Sequence, residues 1–84
     1  MAAVRALIFL NGEILMLQRG ETISRPGQWC LPGGRIQPEE QPEDAVVRET
    51  LEEAGLDVRV RRHLLQVRSC HYFLCELLEP GQAI

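Results

Sequence analysis

The 84-residue sequence has little cysteine, no long apolar stretch and no surplus of positive charge, and each shortage removes a class of protein. Three cysteines, Cys30, Cys70 and Cys75, are too few and too irregularly spaced for a disulfide framework, and none belongs to a CxxC pair, so a reducing, cytoplasmic setting is expected. The apolar run at 2–10 is interrupted by Arg5 and ends in Asn11-Gly12; it is too short to span a bilayer and lacks a signal peptide's layout. No membrane partner is expected. A formal net charge of -3 gives no general attraction to nucleic-acid phosphates, although Arg59, Arg61 and Arg62 form a local exception. Nucleic acid is therefore not an expected partner, and a phosphate ligand must be bound locally, through a metal or a few placed cations. Repeats and low-complexity tracts are absent too. What remains, 45% hydrophobic and 25% charged residues, is the composition of one ordinary globular domain over residues 1–84.

Asn11-Gly12 stands between apolar segments at 4–10 and 14–17, which predicts a β-hairpin with a type I′ turn. Residues 20–28 read as a surface loop leading to a short extended segment at 29–31, and Pro32-Gly33-Gly34 reads as a turn. A helix is predicted over 42–54, with Pro42 in its first turn, Glu43 and Asp44 at the positive end of its dipole and Gly55 ending it. Gln41 is a weak N-cap. Two strands follow at 58–67 and 69–78.

On that helix Val46, Val47, Thr50, Leu51 and Ala54 fall on one side, and Glu49, Glu52 and Glu53 fall together on another. Like charges at this spacing cost roughly 0.2–0.5 kcal/mol per pair, which Arg48, spaced to pair with Glu52, partly offsets. Taken alone, such a cluster is ordinarily a solvated face. The upstream glycines change that reading, because Gly33-Gly34 lets backbone groups approach a ligand closely. A loop carbonyl with three clustered carboxylates is a donor set that Mg²⁺ accepts, together with the phosphates of a substrate.

Gly34, five residues, Glu40, seven residues and then Arg48-Glu49-Thr50-Leu51-Glu52-Glu53-Ala54-Gly55-Leu56 match the pattern G-x5-E-x7-R-E-U-x-E-E-x-G-U, where U is a bulky apolar residue. On this motif, and on Trp29-Cys30-Leu31-Pro32-Gly33 leading into it, the chain resembles the Nudix family. Thr50 departs from the preferred apolar type, but its hydroxyl can bond back to the carbonyl four residues earlier. Glu39 stands where relatives often have glycine, so a positive φ there would strain the loop.

The resemblance implies an α/β (α+β) Nudix fold: a mixed β-sheet with a catalytic loop-helix-loop, within an α/β/α sandwich whose C-terminal part this chain does not carry. It implies Mg²⁺-dependent hydrolysis, with Mn²⁺ as a substitute, of a phosphoanhydride bond in a nucleoside diphosphate linked to another moiety. Glu49, Glu52 and Glu53 would hold the metal with the carbonyl of Gly33, Arg48 would orient the glutamates, and Gly34, Glu40 and Gly55 would support the motif. Arg19 is a candidate for a substrate phosphate. The partner is then a small-molecule nucleotide, and a homodimer is expected from the family and from an uncovered sheet face. The opposing expectation is a non-catalytic Nudix-like nucleotide-binding or regulatory module. The shortness of the chain admits three accounts: a fragment, a sequence lacking disordered segments, or a short form completed by a second subunit.

Other residues carry blander readings. Trp29 is expected to pack in the core or at its rim rather than stack on a base. His63, Cys70 and His71 lack the close ligand spacing of a zinc site, and strand alternation separates Cys70 from His71. The cysteines are read as packing residues.

Overall fold

The computed structural model describes residues 2–18 and 29–79. The expected loop at 20–28 and Arg19 lie outside the described residues. Strand β1, Ala3–Leu10, alternates as a half-covered strand must: Val4, Ala6 and Ile8 are completely buried, while Ala3, Arg5 and Leu7 are half-exposed on the other face. Asn11 and Gly12 both take positive φ, 51° and 83°, as a type I′ turn requires, and the chain returns as β2, Glu13–Ile14, with Phe9 opposite Ile14.

The expected return arm at 14–17 is shorter than its apolar residues suggest. After Leu15, whose N–H still donates to the Ile8 carbonyl at 2.9 Å, the chain leaves β1, and β3, Leu17–Gln18, pairs instead with β4, Trp29–Cys30. The same edge of β1 is taken further along by β5, Gly33–Arg35, which runs antiparallel with Gly33 opposite Arg5 and Gly34 opposite Val4. The turn expected at Pro32-Gly33-Gly34 is thus a short strand. Glycine serves close approach there: a Cβ on Gly33 would stand 2.0 Å from the Val4 carbonyl oxygen.

Helix α1 spans Pro42–Ala54 as expected, with Gln41 making no side-chain cap bond and Gly55, at φ 69°, donating its N–H to the Leu51 carbonyl at 2.9 Å. Its buried residues are Ala45, Val46 and Thr50, and the Thr50 hydroxyl donates to the Val46 carbonyl at 2.7 Å. Leu51, expected inside, is 47% exposed. The helix is rolled so that the side bearing Ala45, rather than the side bearing Leu51, meets the sheet. That roll brings Glu49 and Glu53 toward β5.

Strands β6, Val58–Val67, and β7, Cys70–Leu77, form an antiparallel hairpin with register shifts at Val60/Arg62 and His63/Leu65, and β7 lies parallel to β1. The sheet order is β2-β1-β7-β6 with β5 also on β1, a mixed sheet of the expected class. One face packs on α1 through a core that includes Val4, Ala6, Ile8, Val46, Leu56, Val58 and Phe73. Burying a side chain such as Phe73 contributes about 1.5–3 kcal/mol. On the opposite face Phe9, Leu65 and Val67 are about half exposed.

Candidate active site

The β1–β5 ladder decides where Gly33 presents its backbone. Ala6 donates to the Pro32 carbonyl at 2.8 Å and Ile36 to the Ala2 carbonyl at 3.0 Å, so Gly33, between these bonded pairs, turns its N–H and carbonyl away from β1. The N–H meets Oε1 of Glu53 at 2.9 Å. Gly34 lies directly under Glu49: a Cβ there would come within 2.4 Å of the Glu49 carboxyl. Absence of a side chain at Gly34 makes room for the Glu49 carboxylate, and absence of one at Gly33 lets its strand lie close against β1.

Arg48 ties the loop to the helix. Its Nε and Nη2 donate to Oε2 and Oε1 of Glu40 at 2.8 and 3.0 Å, its Nη1 donates to Glu49 Oε2 at 2.9 Å and Glu52 Oε2 at 3.1 Å, and Nη2 also reaches the Arg35 carbonyl at 3.1 Å. Glu40 accepts a further bond from the Gln37 N–H at 2.9 Å. The Arg48 guanidinium, then the Gln37 amide, hold the Glu40 carboxyl below the usual carboxylate range. Glu40 in turn pushes the Arg48 pKa up, with Glu49 and Glu52 adding to the effect. Glu39, next to this clamp, has φ 64°, the left-handed value its place in the motif led us to expect as a source of strain.

Gly33, Gly34, Glu49 and Glu53 line one open cleft of about 800 Å³. Glu52 stands outside that lining, 56% exposed and held by Arg48, and Gly55 acts only at the helix end. Three carboxylates and an outward carbonyl are the oxygen donors a hard cation takes. In this arrangement each carboxylate is satisfied by Arg48 or by the Gly33 N–H, and among the described residues no three ligating side chains converge on one point.

Arg5, Gln18 and Arg35 share the cleft and were not singled out by sequence. The signal was the alternation of β1: once Val4 and Ala6 face the core, Arg5 must face away from it. One Arg5 N–H donates to the Leu31 carbonyl at 3.1 Å, and Arg5 stands opposite Tyr72 across β7. The Tyr72 hydroxyl is pushed up by neighbouring Cys70 and by burial, with the Arg5 charge opposing the rise.

The hairpin brings together two residues that sequence spacing kept apart, His63 Nε2 lying 3.0 Å from His71 Nδ1 with Phe73 edge-on to His63. Trp29 is 59% exposed rather than packed; among the described residues its strand β4 pairs only with the two-residue β3. Arg59 and Arg61 both pair with Glu76, which offsets the local basic cluster. The cysteines are free, and burial pushes the Cys75 thiol up to about 11, which disfavours the nucleophilic thiolate.

The family model for the NUDIX domain matches residues 1–80. The chain is 36% identical over 61 residues to the CTP pyrophosphohydrolase of Escherichia coli (strain K12), a match covering 73% of this chain and 45% of that protein. It is 51% identical over 39 residues to a human diphosphoinositol polyphosphate phosphohydrolase 2, covering 46% of this chain and 22% of that one. The crystal structure of an ADP-ribose pyrophosphatase from Streptococcus suis superposes with a TM-score of 0.82 at 34% identity, over 93% of this chain and 60% of that chain. The chain thus spans less than two thirds of the length of each.

Proposed function

The chain belongs to the Nudix family, and from that premise we propose that it hydrolyses a phosphoanhydride bond in a nucleoside diphosphate linked to another moiety, releasing a nucleoside monophosphate. One observation carries the reading: the Gly33–Gly34 strand edge receives Glu49 and Glu53, while one arginine fixes Glu40, Glu49 and Glu52. Glu49, Glu52, Glu53 and the Gly33 carbonyl are the residues to hold Mg²⁺, or Mn²⁺ in its place. When bound, such a cation supplies Lewis-acid neutralisation of the charge that develops on the phosphates.

The chain's own contribution is positioning. Arg48 keeps two carboxylates from turning freely into solvent, the Gly33 amide holds a third at the strand edge, and Glu40 braces Arg48 from the loop. A carboxylate of this set accepts the proton of the attacking water, and no protein nucleophile is required. Arg19, outside the described residues, is an added candidate for a phosphate of the substrate. We place the protein in the cytoplasm, and read a second copy as the partner of its open sheet face. Among the described residues no helix is long and apolar enough to cross a membrane.

Nucleoside diphosphate derivatives incubated with Mg²⁺ at mildly alkaline pH test the reading by release of nucleoside monophosphate. Glu52→Gln and Glu53→Gln should each lower the rate by roughly 100-fold or more, the scale of several kcal/mol of lost charge stabilisation, with helical circular dichroism unchanged. Glutamine at 53 can still accept the Gly33 N–H, so loss of rate there reports charge. A folded wild type that binds Mg²⁺ and cleaves nothing is instead a non-catalytic nucleotide-binding module.

A further inference from the structure

The cleft that holds Glu49 and Glu53 on one side carries two arginines on the other. Arg5 stands opposite Gly33 and Arg35 opposite Ala3 in the β1–β5 ladder, so both project from the sheet face away from α1, one diagonal step apart, roughly 7–8 Å between backbones. Both line the cleft. Among the described residues no carboxylate pairs with either, whereas Arg48, Arg59 and Arg61 are all paired. Arg5 is half-buried, and the Leu31 carbonyl takes only one of its donors, fixing the guanidinium while leaving others for a ligand.

A diphosphate held at the Gly33 edge would lie between the glutamates and these arginines, all of which line the cleft. A flanking group that is a neutral sugar gives these two cations, Arg5 half-buried and Arg35 exposed, nothing to neutralise. A further phosphate does, through bidentate, charge-assisted bonds of the kind guanidinium forms best. We propose that Arg5 and Arg35 form a subsite for an additional phosphate, so that the chain selects ligands with three or more linked phosphates over diphosphates flanked by a neutral sugar. This substrate class rests on the hydrolase reading above, but the subsite itself is a matter of binding and is tested without turnover.

Isothermal titration of inorganic tripolyphosphate, and separately of ADP-ribose, in the presence of Mg²⁺ reads the subsite directly. Wild type should bind tripolyphosphate more tightly than ADP-ribose. Arg5→Gln and Arg35→Gln should each weaken tripolyphosphate at least fivefold and ADP-ribose less than twofold, Arg5→Lys should recover part of the loss, and Arg62→Gln, at the far edge of the sheet, should change neither. Equal losses on both ligands reduce Arg5 to a structural tether of Leu31 and overturn the proposal; so do a wild type that prefers ADP-ribose, an unaffected Arg5→Gln, and an Arg62→Gln effect of the same size. A protein that shows the arginine-dependent preference and hydrolyses nothing keeps the subsite and loses the catalytic reading.

Discussion

At Glu39 the chain enters α1 through a left-handed residue that carries a full side chain. An L-residue in that region costs about 1–2 kcal/mol, and glycine escapes the cost while giving back about 0.4–1 kcal/mol through a freer unfolded chain. Glu39→Gly should therefore raise stability by about 0.5–1 kcal/mol in urea denaturation, and Glu39→Ala, still strained, should not. Equal midpoints for the two variants would show that the turn carries no such strain. Gly33 and Gly34 obey a different rule, because atoms of Val4 and Glu49 occupy the space a Cβ would need. Glycine's reason at 39 was legible from the motif alone. Its reason at 33 and 34 was not, since it depends on a neighbouring strand and on a helix that arrive from elsewhere in the chain.

The helix is the element that sequence described best, because Pro42, the acidic first turn and Gly55 are local signals for its ends. Its roll about its own axis was hidden: hydrophobicity favoured Leu51 on the buried side, and only the position of β5 explains why Ala45 lies there and Glu49 reaches the cleft. Pairings that join distant residues were equally hidden, including Arg5 with the β5 edge and His63 with His71 across two register shifts. The clamp at the start of α1 has a pH signature. Arg48 holds the folded-state pKa of Glu40 below its ordinary value of 4.5, so the stabilisation is fully present above that value and is lost as pH falls through the lowered one. Glu40→Gln should accordingly have a lower urea midpoint than wild type at neutral pH, and the gap should close well below pH 4.5. A gap of the same size at both pH values would mean that Glu40 acts through packing rather than through its charge.

Across the molecule, the two faces of the sheet are unequal. One packs on α1 around Phe73 and Ile8, while the other shows Phe9, Leu65 and Val67 at 54%, 49% and 51% exposure. Leu65 and Val67 stand side by side on β6, and neighbouring exposed apolar side chains of this kind are what an association surface offers. A second copy, meeting the first across a two-fold axis on the β6 side of this face, would cover Leu65 and Val67 of both copies and leave Arg5 and Arg35 at the β5 edge open. The chain should then run as a dimer in light scattering, and its unfolding midpoint should rise with protein concentration, because dimer formation favours the folded state by mass action. Leu65→Glu should give a monomer with unchanged circular dichroism, since a side chain that is half exposed contributes little to the fold of one copy but must be desolvated between two. A wild type that is monomeric at every concentration, with a concentration-independent midpoint, removes the second copy as the occupant of this face. The mixed sheet and the Gly33–Glu53 contact would be untouched by that result, because α1 packs on the other side.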